Sequence, residues 1–108
     1  MKNQDIIKKN FEFQKIIQKN YSVQNACFII FLDKKSIKFK YGISVGKKNG
    51  NAIVRNKIKR QIRTMIFEII KLKKTKKKNL IVIVRKKYKD FSYQENFGHL
   101  LNCFNLIK

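Results

Sequence analysis

With 108 residues, no proline and 44% hydrophobic content, the chain suits one compact domain (1–108) with a modest core and is too short for a second. Twenty-seven Lys and Arg against six Asp and Glu give a formal net charge of +21, a self-repulsion that a polyanion relieves, so nucleic acid is the expected partner. No apolar run reaches the roughly 18 residues of a membrane span, and Met1-Lys2-Asn3-Gln4-Asp5 leads into no signal-peptide core, so the expectation is a cytoplasmic protein without membrane attachment.

In chain order, Asn10 to Lys19 carries Phe13, Ile16 and Ile17 at helical spacing, with Asn10 able to cap the first turn. Tyr21 to Gln24 suggests a short edge strand. Cys27 to Leu32 is entirely apolar and reads as a strand covered on both faces, followed by a turn at Asp33-Lys34-Lys35. From Ile37 the pattern alternates. Ile37, Phe39, Tyr41, Ile43 and Val45 point one way and Lys38, Lys40, Gly42 and Ser44 the other, which predicts a half-buried strand antiparallel to its predecessor.

After a loop from Gly46 to Gly50, Asn51 caps a helix with Val54, Ile58, Ile62, Met65, Ile66 and Ile69 at core spacing, ending near Leu72. Lys71 to Lys78 is too like-charged to pack and reads as a solvated connection. Leu80 to Val84 is an apolar strand closed by Arg85-Lys86-Lys87. Ser92-Tyr93-Gln94-Glu95 matches a capping box, and the closing helix turns Phe97, Leu100, Leu101, Phe104 and Ile107 inward.

The constellations that carry chemistry are missing. The six acids, Asp5, Glu12, Asp33, Glu68, Asp90 and Glu95, are scattered, whereas a metal-dependent nuclease clusters carboxylates around Mg²⁺. His99 sits beside Leu100 and Leu101 and reads as structural. Cys27 and Cys103 lack zinc-ligand spacing and suit two buried thiols of a reducing compartment. Gly46-Lys47-Lys48-Asn49-Gly50 lacks the Gly-Lys-Ser/Thr order of a phosphate-binding P-loop.

Charge concentrates where arginine does. Three of four arginines, Arg55, Arg60 and Arg63, fall in the helix after Asn51, and a guanidinium grips phosphate bidentately where lysine offers a point charge. At about 100° per residue, Arg55, Lys59 and Arg63 form one ridge and Asn56 with Arg60 the next. One face of the apolar strand, either Cys27, Ile29 and Phe31 or Phe28, Ile30 and Leu32, faces away from the main core. A covering helix would account for it, and so would a shallow cleft where unpaired bases stack between basic rims.

Gly42-Ile43-Ser44-Val45-Gly46-Lys47-Lys48, running through Gly50-Asn51-Ala52 into Arg55-Asn56-Lys57-Ile58-Lys59-Arg60-Gln61-Ile62-Arg63, resembles the signature of the bacterial ribonuclease P protein subunit. Lys8-Lys9-Asn10 with Phe13 resembles the family's first helix and Leu80 to Lys86 its last strand. The resemblance implies an α+β, single-domain α-β-β-β-α-β-α sandwich like the second domain of ribosomal protein S5, with a left-handed β-α-β crossover. It implies partnership with the ribonuclease P catalytic RNA and precursor tRNA, removal of the 5′ leader, and Mg²⁺ held mainly by RNA with none bound by the protein alone. No protein oligomer is implied. Arg55, Asn56, Lys57 and Arg60 would face the catalytic RNA, with Lys47, Lys48 and Asn51 also on RNA. Lys59 and Arg63 would lie toward a leader cleft formed by Phe13, Ile17, Ile29 and Phe31. Lys57 stands where the motif usually has a second arginine, and Ile17 and Phe31 where the family is often aromatic or tyrosine. The charge alone also suits a small ribosomal or other RNA-scaffold protein, or a DNA-compacting one.

Overall fold

Local sequence signals place the elements of the computed structural model: α1 (Asn10–Gln18), β1 (Ser22–Gln24), β2 (Phe28–Asp33), β3 (Lys40–Val45), α2 (Ala52–Lys71), β4 (Asn79–Val84) and α3 (Tyr93–Leu106). The structure describes residues 10–18, 21–33, 39–72 and 78–107, with side chains from residue 14 onward in α1. Lys8, Lys9, Lys19, the Lys34-Lys35 turn, Ile37, Lys38 and most of the Lys71 to Lys78 connection lie outside the described residues, as does the side chain of Phe13.

The expected caps form. Asn51 Oδ1 accepts from the Val54 N–H at 3.0 Å. At α3 the Ser92 N–H donates to Glu95 Oε1 at 2.9 Å while the Glu95 N–H donates to Ser92 Oγ at 3.2 Å, each side chain satisfying the other's backbone. The Ser92 backbone donor, with its hydroxyl, holds the Glu95 carboxyl below its ordinary range.

The four strands form one sheet in the order β1-β2-β4-β3, with β1–β2 and β2–β4 antiparallel and β3–β4 parallel. β3 thus runs antiparallel to β2, as expected, but the two are not neighbours: β4 lies between them. The reason is in the strands' side chains. β2 (FIIFLD) and β4 (NLIVIV) are apolar on both faces and take the middle, whereas β1 and β3 carry Ser22, Gln24, Gly42 and Ser44 on one face and suit the edges. The 20-residue helix α2 supplies the crossover that a parallel pair requires.

Register divides the residues by face. On one side, Val23, Ile30, Val82 and Ile43 run across all four strands, flanked by Phe28, Val84 and Val45 and by Leu32, Leu80 and Tyr41. This face meets Ile58, Ile62, Met65, Ile66 and Ile69 of α2 and Leu100, Cys103 and Phe104 of α3 in the main core. Val54 departs from expectation. It is 36% exposed, because it packs back on its own N-terminal turn. A Cβ on Gly50, where φ is +133°, would lie 3.0 Å from the Val54 Cβ, so both backbone and space require glycine there.

Cys27 and Cys103 are both buried and free. Burial pushes both thiols up, Cys103 to about 11. His99 is half-buried with its ring edge-on to Phe91, centroids 4.9 Å apart, and its carbonyl accepts from Asn25 Nδ2 at 2.8 Å. It serves packing and a backbone tie.

Candidate nucleic-acid interface

The opposite face of the sheet is covered only in part. There Ser22, Phe31, Ile81 and Gly42 form one row across the strands and Gln24, Ile29, Ile83 and Ser44 the next. Ile16 of α1 is buried against Ile81, with Phe31 and Ile83 packed around them. This small cluster closes the first row. Ile29, Ile83, Phe31 and Ser44 stay half-buried, and Ile17 on α1 is half-buried as well. Thus Ile29 and Phe31 share this partly covered face.

The row through Ile29 and Ile83 ends at two cationic turns. β3 runs into a 3-10 turn, Lys47–Asn49, and its parallel neighbour β4 runs into another, Lys86–Asp90. Side by side, they bound a cleft of about 600 Å³ lined by Ser44, Lys47, Lys48, Asn49, Ile83, Arg85 and Lys86, together with Gly46 and Val84. Asn49 is 2% exposed and straps the turns together, its Nδ2 3.4 Å from both the Gly46 and the Val84 carbonyls. Arg85 is tied down from the other side. Its backbone N–H donates to the Cys27 carbonyl at 2.8 Å and its Nη1 to the Asn25 carbonyl at 3.1 Å. Asn25 is itself shaped by its Oδ1, which accepts from the Cys27 and Phe28 N–H groups at 3.0 Å each.

Arg85 and Lys86 were not among the sequence candidates. The signal was the fourth arginine, directly after a strand. Its meaning depends on β4 lying parallel to β3, which puts the carboxyl ends of the two strands, and their cationic turns, together.

The second cationic surface is α2. Its N-terminus carries the positive end of the helix dipole, and no acidic residue occupies the first turn, although acids are ordinarily favoured there. Lys47 and Lys48 add exposed positive charge just upstream. Along the helix, Asn56, Lys57, Arg60 and Arg63 are exposed while Arg55 and Lys59 are half-buried at the margin of the core stripe. Arg55 Nε is buried and without a hydrogen-bond partner among the described residues, a desolvated donor on the ridge where phosphate contact is expected. Asn51 commits its Oδ1 to the helix cap, leaving its amide nitrogen for other contacts. The α2 stripe and the open groove lie on opposite sides of the sheet and meet at the Gly46–Asn51 turn.

Among the described residues no group of three or more His, Cys, Asp and Glu could hold a metal ion, and no helix is long and apolar enough to cross a membrane. The donor set fits contact with phosphates, sugars and bases.

Comparison with known proteins gives a uniform answer. A family model described as Ribonuclease P matches residues 1–108. The ribonuclease P protein component of Mycoplasma capricolum is 49% identical over 109 residues, covering 100% of both chains. Among solved structures, the RNase P protein of Staphylococcus aureus superposes with a TM-score of 0.84 at 40% identity, covering 96% of this chain and 95% of that one. The RNase P protein of Thermotoga maritima superposes with a TM-score of 0.83 at 26% identity, over 94% of this chain and 96% of that one.

Proposed function

Since the chain belongs to the ribonuclease P protein family and so serves tRNA processing by that enzyme, we propose that it works by holding two RNAs with its two cationic surfaces. The outer face of α2, through Arg55, Asn56, Lys57 and Arg60, takes the catalytic RNA. The open sheet groove takes the 5′ leader of precursor tRNA. Leader bases lie against Ile17, Ile29 and Phe31, with Phe13 on the same helix, and leader phosphates reach Lys47, Lys48, Arg85 and Lys86. Lys59 and Arg63 extend the cationic surface of α2.

The observation that carries this reading is the partly covered row through Ile29 and Ile83, which runs between a helix and a pair of strapped cationic turns. An apolar floor with basic ends is what a single strand requires, because bases stack or pack on the floor while phosphates follow the charge. Each phosphate neutralised releases condensed counterions, so binding weakens steeply with salt.

In this reading the chain supplies no reactive group. The described residues offer no carboxylate or histidine cluster suited to Mg²⁺, and the metal-dependent cleavage of the phosphodiester belongs to the RNA, which holds the ion. The protein lowers the Mg²⁺ concentration needed by bringing cations of its own to the junction of the two RNAs. The working complex is ribonucleoprotein, without a protein oligomer or a membrane.

Reconstitution with a ribonuclease P RNA at low Mg²⁺ tests this. Leader removal should rise with protein, and the gain should be larger for leader-bearing than for leaderless tRNA in competition. No gain at any protein concentration would end the proposal, and so would leader cleavage by RNA-free protein.

A further inference from the structure

Among the described residues three exposed aromatic side chains, Tyr21, Phe67 and Tyr93, belong to neither core, and Phe67 alone of them lies on the cationic helix α2. Phe67, on the C-terminal half of α2, is 38% exposed, while its neighbours Met65, Ile66 and Ile69 are fully buried. At 100° per residue it lies nearly opposite Met65 and Ile69, in line with Arg63 and Arg60 one and two turns earlier and with Lys71 one turn later. The Lys71 ammonium stands 4.7 Å from the centroid of the Phe67 ring and 3.8 Å from Glu68. Thr64, between Arg60 and Phe67, spends its hydroxyl on the Arg60 carbonyl at 3.1 Å. Arg60, Arg63, Phe67 and Lys71 therefore make an exposed stripe of cations with one flat ring set into it and, among the described residues of α2, one acid, Glu68, beside it.

An isolated exposed apolar residue needs no explanation, but the company here is specific. Cations that follow a backbone, interleaved with a ring that accepts any base, are the chemistry by which proteins hold unpaired nucleotides. Phe67 lies seven residues past Arg60, about 10 Å along the axis, so RNA seated on the first half of α2 reaches it without leaving the helix.

Resting on the proposed role of α2 in holding the catalytic RNA, we infer that Phe67 is a stacking platform for an unpaired base of that RNA. Lys71 steadies the ring and binds an adjacent phosphate. The contact lengthens the RNA footprint by two turns of helix beyond Arg60. Charge complementarity selects RNA over a protein partner, because the stripe around the ring is cationic in a chain of net charge +21.

The chain contains no tryptophan, so Phe67→Trp creates a single reporter at the site. Binding of Phe67→Ala, Phe67→Leu, Phe67→Trp and the unaltered protein to a ribonuclease P RNA transcript is measured across a salt series. Alanine and leucine should weaken binding about tenfold, with the salt slope unchanged because no phosphate contact is removed. Tryptophan should keep full affinity and its emission should shift or quench as RNA is added. Affinity retained by Phe67→Ala, affinity restored by the non-aromatic leucine, or tryptophan emission indifferent to RNA overturns the inference while leaving the α2 reading intact. Unaltered protein that fails to bind the transcript overturns both.

Discussion

Ile30 and Val82 sit fully buried beneath α2 and α3, while one residue along each strand, Ile29 and Ile83 reach the other face and remain half-exposed beside α1. The same two strands thus build a sealed face and an open one. The difference lies in what covers them. Two helices of 20 and 14 residues lie over the first face, and a helix of nine covers part of the second. Apolar side chains on the sealed face are held by packing alone, whereas those on the open face keep surface that only a further molecule covers. Stability should therefore be concentrated on one side of the sheet and recognition on the other.

The contrast can be tested by truncating each face in turn. The largest effect is expected for Ile62→Ala, which removes a fully buried side chain between α2 and the sheet. Denaturant unfolding should show a loss of about 2–5 kcal/mol, with any loss of RNA affinity in proportion to the unfolded fraction. Phe31→Ala on the open face should do the reverse, weakening single-strand RNA binding by about 1–3 kcal/mol with a smaller change in stability. Unchanged affinity in a folded Phe31→Ala protein would remove the leader groove from the proposal.

A smaller effect sharpens the sealed side. The buried Tyr88 hydroxyl donates to Gln61 Oε1 at 2.8 Å, joining the turn after β4 to α2. Burial pushes its pKa up to about 12. Since the folded value lies above the ordinary value near 10, this group's contribution is full below pH 10 and lost as pH rises toward 12. Tyr88→Phe should cost about 1 kcal/mol at neutral pH and flatten the alkaline limb of the stability curve. An alkaline limb identical in the two proteins would show that Tyr88 does not titrate as this geometry requires.

The local elements were legible because their causes are local. The Asn51 cap, the Ser92–Glu95 box and the apolar stripe from Ile58 to Ile69 are written within a few residues of where they act. Strand order was not, because alternation tells which way a side chain points and not which strand lies beside it. That β2 and β4 are apolar on both faces held the answer, once read as a claim on the middle of the sheet. The cationic ridge of α2 could be read along a single helix. The cleft could not, because Lys47 and Arg85 come together only through the parallel pairing of β3 with β4. Asn49 looked like a polar loop residue, yet the same pairing buries it.

Placing β4 at the centre also sets a timetable. During synthesis β2 leaves the ribosome with its inner edge bare, since Asp33 must wait for Asn79 and Phe28 for Val84. β3 waits likewise for β4, its strand neighbour among the described residues. No part of the sheet beyond the β1–β2 hairpin can close before the fourth strand arrives, so folding should be a single late event rather than a gradual accretion. The strapped turns are assembled in that same event, and a half-made chain has no finished groove with which to seize a transcript.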